Sequence, residues 1–393
     1  MKPQANPSTP LYDLLIECCR HEPSNVKLEE YAEKIINWNA FLESAYAHGV
    51  YPLVAKALKP ISTVPESVKL ILKSTNLDIA RRNMMMTSEL LRMMQLLEEH
   101  GIKALAIKGP VLSQIIHGDV TIRQYADIDV LISAEQIYHA AKVLIDHGYT
   151  SEYNIEFLNN KTLLDVAKDF SIFNVSQNIH IEFHWQLFLT RQIKKSQINL
   201  FSSSNPTCTI NTQKIRTLGE DENLIYLLLH GSKHMWERLE WIVDINRLIC
   251  AREGAIDWDQ LCNLAKDMEI EVMFYLGLTI SDELFQTPLP KYIYAKIESI
   301  PAVLMAKKVI LEELYANGIL IYATELTPFK NLFKMRLNKD SSTAVIRHYW
   351  KTLFGLKYFD VYMINLPNQL AFLYHFIRLY RLFKLYVLRI KNR

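Results

Sequence analysis

Apolar residues recur at three- and four-residue intervals over most of the chain, and that spacing predicts helices. Residues 10–58 carry it in LYDLLIECC and WNAFLESAYAHGVYPLVAKAL. The segment KPISTVPES, residues 59–67, interrupts the pattern with two prolines. Residues 66–99 then predict one long helix that stops ahead of Gly101. Its Met84, Met85, Met86, Met93 and Met94 read as gap-filling core side chains, with a plastic binding surface as the alternative.

The period changes at Ile102. IKALAIK is short, apolar and followed by Gly-Pro, so it predicts a strand; VLSQIIH predicts a short helix and ADIDVLI a second strand. AEQIYHAAKVLIDHG predicts a helix closed by Gly148. YTSEYNIEFL, DFSIFNV and NIHIEFHW alternate and carry β-formers, so residues 102–187 predict a compact unit of about five strands and two helices. SSSNPTCTINTQ, residues 202–213, predicts a loop or a hairpin. Helical spacing returns over 221–252, 257–284, 290–322 and 345–390. The expected fold is therefore α+β, a small mixed β-sheet domain embedded between helical segments. The boundaries expected for it are 1–100, 101–200 and 201–393.

Composition narrows the function. The chain has 393 residues, half of them hydrophobic, enough for a sizeable core. Its 44 basic and 42 acidic residues leave a net charge of +2, which supplies no global pull toward nucleic acid or membrane. Cys18, Cys19, Cys208, Cys250 and Cys262 are odd in number and lack CxxC spacing, which suits free thiols in a reducing compartment. The opening MKPQANPSTP is polar and does not read as a secretory signal. VYMINLPNQLAFLYHFI, residues 361–377, is broken by Asn365, Pro367, Asn368 and Gln369 and falls short of a membrane span. These features predict a soluble, cytoplasmic protein.

The unusual chemistry lies in IRQYADIDVLI, residues 122–132. In a strand, residues two apart share a face, so Asp127 and Asp129 project side by side while Ile128 and Val130 enter the core. Two adjacent carboxylates repel and resist desolvation. A divalent cation such as Mg²⁺ removes both problems, and a pair of such ions can serve phosphoryl transfer. The structural alternative is that the aspartates cap a turn or pair with Arg123. A third acid, Glu182, lies in NIHIEFHW and shares its face with His180 and His184. A strand pairing beside 127–132 would bring Glu182 against the aspartates. Either histidine could instead be an ordinary polar residue on the strand's open face. Lys108-Gly109-Pro110 follows the first strand and opens a helix, where backbone N–H groups favour a phosphate; Pro110 suits the first turn on structural grounds alone.

Strand–Gly–helix–strand with D-x-D and a later third acid resembles the DNA polymerase β-like nucleotidyltransferase superfamily. More closely, the chain resembles the bacterial uncharacterised nucleotidyltransferase family. The resemblance rests on GIKALAIKGPVL (101–112), RQYADIDVLI (123–132), IHIEFHW (179–185) and LLLHGSKHMWERLEWIVDINRLI (227–249), and extends through the flanking helices. It implies a polymerase β-like domain and an enzyme that moves a nucleoside monophosphate from an NTP to an acceptor, releasing pyrophosphate. It implies that Asp127, Asp129 and Glu182 are catalytic and hold Mg²⁺ (or Mn²⁺), and that Lys108, Gly109 and Arg123 line the nucleotide phosphates. Two departures stand out. Gly109-Pro110 replaces the usual Gly-Ser or Gly-Gly, and the insert HGDVTIRQY lengthens the path to Asp127. That insert either lays Arg123 and Tyr125 over the site or is an ordinary loop.

His230 and His234 lie four apart on one predicted helix face, with Asp244 following, a spacing that also suits zinc; the absence of an HExxH glutamate disfavours a zinc hydrolase. The resemblance places this segment across the catalytic cleft, which makes His234 and Asp244, with His184, candidates for the acceptor side. The alternative is a hydrogen-bonded helix contact among His230, Trp236, Trp241 and Asp244. The final segment FIRLYRLFKLYVLRIKNR interleaves Arg378, Arg381, Lys384, Arg389, Lys391 and Arg393 with apolar residues. Residues 378–393 are thus a candidate for weak contact with an anionic membrane surface, or else a packed helix with a solvated basic face. The acceptor expected is a sugar, a peptide or a protein group rather than a nucleic acid. Two non-enzymatic functions compete: a catalytically inactive binding module, and a membrane-surface or assembly factor.

Overall fold

The computed structural model describes residues 10–187, 200–202, 205–316, 355–364 and 366–384. They form two compact units. One gathers the described residues within 1–89, 107–126 and 190–340, the other those within 90–106, 127–189 and 341–393. No helix among the described residues is long and apolar enough to cross a membrane.

The first unit is mostly helical. Helices α1 (Pro10–Cys19), α2 (Asn25–Ala32), α3 (Trp38–Ala47) and α4 (Tyr51–Leu58) occupy the N-terminal stretch where the period predicted helices. Helix α5 runs unbroken from Glu66 to Glu99, its residues through Glu89 in this unit and the rest in the second, and Gly101 follows it at φ +70°. Of its methionines, Met86, Met93 and Met94 are buried while Met84 and Met85 are exposed. After strand β1 (Ala104–Ala106) comes helix α6 (Gly109–His117), which groups with the helical unit. Residues 207–216 form a hairpin, β5 (Thr207–Ile210) and β6 (Gln213–Arg216), turning at Asn211 with φ +54°.

The helix expected over 221–252 is two helices, α9 (Glu220–Lys233) and α10 (Leu239–Ala251). The break has a packing cause. Met235 and Trp236 both adopt positive φ, +57° and +56°, and Trp236 N–H bonds back to Gly231 O at 2.9 Å. This turn drives the Trp236 ring, 1% exposed, into a slot where a Cβ at Gly231 or Gly277 would collide with it. Gly277 belongs to α12 (Glu271–Phe285), whose Phe274, Leu276, Leu278 and Ile280 are fully buried. Helices α9, α10 and α14 (Pro301–Ala316) pack against α12; α11 (Trp258–Asp267) and α13 (Lys291–Glu298) complete the described part of this unit.

The second unit holds a four-stranded mixed sheet in the order β1-β2-β4-β3, with β2 (Asp127–Ile132), β3 (Asp169–Asn174) and β4 (Ile179–His184). The β1–β2 and β3–β4 pairs are antiparallel and the central β2–β4 pair is parallel. Helix α7 (Ile137–Asp146) buries Ile137, Ala140, Ala141, Val143 and Leu144. The strand expected in YTSEYNIEFL does not form. Thr150 makes one bridge to Phe173, and Ile155–Asn159 is a 3₁₀ turn. The reason is local: Asn154 Oδ1 accepts from Glu156 N–H at 2.9 Å, and Asn160 caps α8 (Lys161–Val166) through Leu163 N–H at 3.2 Å. Such short side-chain bonds compete with a ladder.

Near the C-terminus lie α15 (Tyr358–Tyr362), a 3₁₀ turn at Asn368–Leu373 and α16 (Tyr374–Phe383). Asp360 is fully buried and takes Arg378 Nη1 at 3.3 Å and Arg381 Nε at 2.6 Å. The basic face expected to be solvated therefore turns inward here. Phe376, Leu379, Tyr380 and Phe383, spaced 3, 1 and 3 residues apart, stay exposed instead. Arg389, Lys391 and Arg393, and the helical stretches expected at 317–322, 345–354 and 385–390, lie outside the described residues.

Candidate functional site

The parallel pairing of β2 and β4 sets the geometry of the second unit. Asp127 lies opposite His180, Asp129 opposite Glu182 and Leu131 opposite His184. Residues paired across adjacent strands point to the same face. Asp127, Asp129, His180, Glu182 and His184 therefore project together, while Ile128, Val130, Ile181 and Phe183 fill the opposite side.

Asp129 is 3% exposed; Asp127, His180, Glu182 and His184 are half-buried. His184 Nε2 lies 2.8 Å from Asp129 Oδ1 and 3.6 Å from Glu182 Oε2. His180 Nδ1 lies 3.9 Å from Glu182 Oε1, and its ring stacks on Phe173 at 4.8 Å. Burial raises the Glu182 pKa, the nearby Asp129 and Asp127 charges raise it further, and His184 and His180 oppose them. Ligand atoms of Asp127, His180 and Glu182 all lie within 4.8 Å of one another, as do those of Asp129, Glu182 and His184. Glu182 belongs to both groups. This donor set, carboxylate oxygens with imidazole nitrogens, fits a divalent cation, which would offset the crowded negative charge.

The first unit carries the other candidates. Lys108 is the N-cap of α6, and Gly109 follows at φ +52°, a left-handed conformation that favours glycine. Lys108 Nζ sits 5.9 Å over the Tyr226 ring. Arg123 is 7% exposed and grips Asp244: Nε lies 3.0 and 3.1 Å from its two carboxylate oxygens, and Nη2 lies 3.0 Å from Oδ2. Glu240 Oε1 stands 3.8 Å from the same guanidinium. Arg123 thus pairs with an aspartate of α10. Asp244, a candidate for the acceptor side, is the partner of Arg123.

The insert before β2 is anchored. Asn83 Nδ2 donates to Arg123 O at 2.7 Å and Val120 O at 3.2 Å, Ser113 Oγ accepts from Arg123 N–H at 3.2 Å, and Tyr125 OH donates to Val120 O at 3.0 Å. The rings of His230 and His234 cluster with Trp241, tilted or edge-on, with centroids 4.8 Å apart for the histidines and 5.3 Å from each to the indole.

Glu240 was not singled out from the sequence. It is 5% exposed, its pKa is pushed up to about 7 by burial and then by Asp244, and Arg123, Arg238 and Lys108 oppose the shift. A Cβ at Gly49, itself at φ +73°, would collide with its carboxylate. The available signal was Glu240 and Asp244 four residues apart on one helix face, E-x-x-x-D, which resembles ordinary surface charge until its burial is known.

A family model described as uncharacterised nucleotidyltransferase matches residues 34–286, more than half of the chain. Searches of curated proteins and of solved structures return no match.

Proposed function

The chain belongs to the uncharacterised nucleotidyltransferase family, and from that premise we propose that it transfers a nucleoside monophosphate from an NTP to an acceptor hydroxyl or similar nucleophile, with release of pyrophosphate. The observation that carries the reading is the convergence of Asp127, Asp129 and Glu182 on one face of the β2–β4 pair. Three carboxylates gathered around one space, one of them buried, are costly without a cation. The acids would hold the divalent ion, which supplies charge neutralisation at the transferring phosphate. Lys108 and the N-terminus of α6 at Gly109 offer positive potential and backbone N–H groups to an anionic group. A carboxylate of the cluster accepts the proton of the acceptor. His234 is the acceptor-side group in this reading. The Arg123–Asp244 pair holds the insert ahead of β2 to α10.

The test is calorimetric titration of the full chain with ATP, GTP, CTP and UTP, with and without Mg²⁺, beside Asp127→Asn/Asp129→Asn. The expected result is metal-dependent binding of at least one nucleotide that the double variant loses. An α-labelled sample of that nucleotide then identifies the acceptor by label transfer. A folded wild type that binds no nucleotide, alone or with candidate sugar or peptide acceptors, leaves the inactive binding module as the better account.

A second reading, contact with an anionic membrane surface, is favoured by one observation. The exposed side of α16 presents Phe376, Leu379, Tyr380 and Phe383 to solvent, with Lys384 beside them also exposed.

A further inference from the structure

The three carboxylates of the sheet face are interleaved with two histidines. His180, Glu182 and His184 alternate along β4, so all three side chains leave the same face. Each histidine falls in its own group of ligand atoms within mutual reach: Asp127–His180–Glu182 on one side, Asp129–Glu182–His184 on the other. Glu182 is common to both, with Oε1 3.9 Å from His180 Nδ1 and Oε2 3.6 Å from His184 Nε2.

Resting on the nucleotidyltransferase reading, we propose that His180 and His184 join the carboxylates of this face as metal ligands, and that the face therefore selects first-row transition ions such as Mn²⁺ over Mg²⁺. Mg²⁺ is a hard cation that keeps several waters and takes one or two carboxylates plus substrate phosphates. Imidazole suits transition ions and carboxylate suits Mn²⁺ as well as Mg²⁺, so a mixed set in each group favours an ion that accepts both. Geometry supports the histidines as ligands rather than bystanders. Phe173 stacks flat on the His180 ring, with 19° between the planes, and so restricts its orientation. The close approach of His184 to the buried Asp129 aims its Nε2 at the cluster. A ring held by its neighbours loses less freedom on binding an ion.

The probe is Mn²⁺ alone, added to the full chain. Continuous-wave electron paramagnetic resonance counts the free ion and gives the stoichiometry. Pulsed resonance on natural-abundance protein and on protein carrying ¹⁵N-histidine reports whether imidazole nitrogen touches the ion, without altering any side chain. The expected result is bound Mn²⁺, a histidine nitrogen coupling that switches from the ¹⁴N to the ¹⁵N pattern, and displacement by Mg²⁺ only at large excess. His180→Gln and His184→Gln, checked for retained melting temperature, should each weaken Mn²⁺ by at least about tenfold. Several outcomes overturn the proposal: Mn²⁺ bound without a histidine coupling, displacement by Mg²⁺ at equal concentration, or no Mn²⁺ bound at millimolar levels. Failure of the transferase reading is seen separately. A chain that holds histidine-coupled Mn²⁺ yet moves no label from any NTP would overturn that reading and leave the metal site standing.

Discussion

Asp129 and Glu240 are both buried carboxylates, but they keep different company. Asp129 shares its sheet face with other acids and with His184. Glu240 faces the guanidinium groups of Arg123 and Arg238 at 3.8 and 3.3 Å, and burial still pushes its pKa up to about 7. A carboxyl raised in the folded state above its unfolded value of about 4.3 contributes stability that is full below that value and lost as pH rises through the folded pKa. His48 has the opposite sign. Burial, helped by Arg238, lowers its pKa to about 4, so its contribution is present above about 6.5 and is lost as pH falls through 4. His117, also lowered to about 4 by burial, adds to the acid side. Thermal melting across pH 4–8 should therefore show Glu240→Gln flattening the decline between about 4.3 and 7, and His48→Gln flattening the loss between about 6.5 and 4. Each effect is on the order of 3–4 kcal/mol at most. Unchanged slopes in the variants would refute the assignment.

At the scale of elements, the decisive contact in the helical unit ties the insert before β2 to helix α10. Arg123 and Asp244 are both buried and meet through three close N–O approaches. Removing one partner leaves an uncompensated buried charge, which costs about 3–5 kcal/mol. Asp244→Ala should lose that much, and the Arg123→Ala/Asp244→Ala double variant should lose less than the sum of the singles. A double-mutant cycle in urea measures the coupling, and strict additivity would mean that the pair does not hold the insert in solution. Helices α9 and α10 make a related point. An uninterrupted helical period ran across Met235 and Trp236, yet the chain turns there because a fully buried indole fits only the slot left by Gly231 and Gly277. No Gly, Pro or Asn occupies the turn positions themselves, so local chemistry did not announce it.

Across the whole molecule, charge is nearly balanced, so contact with an anionic surface has to be local rather than global. Helix α16 supplies a candidate through its outward apolar stripe and exposed Lys384, since Arg378 and Arg381 turn in to Asp360. Wild-type protein should cosediment with vesicles containing anionic lipid, and Phe376→Ser/Leu379→Ser/Phe383→Ser should reduce this by more than tenfold. Wild type that stays in the supernatant, or a triple variant that binds equally, would remove the membrane reading.

Much of the molecule was legible in the sequence, and the reason is that local rules decided it. Period 3.6 marked the long helix α5, and its ending at a glycine followed from the need for positive φ. Period 2 placed Asp127 with Asp129, and His180 and His184 with Glu182, on shared faces. The match of residues 34–286 to a nucleotidyltransferase family accords with the resemblance that those strands carry. Other features needed the tertiary structure because they depend on partners far apart in the chain. The parallel register of β2 and β4 joins acids more than fifty residues apart, and alternation alone cannot set it. Arg123 lies 121 residues from Asp244, and no local pattern shows that the two meet in a buried ion pair. The direction faced by α16 was likewise undecided by its amphipathic pattern, because the buried Asp360 made the basic side the inward one. Local sequence set which residues share an element; desolvation and long-range pairing decided which of those elements' faces meet.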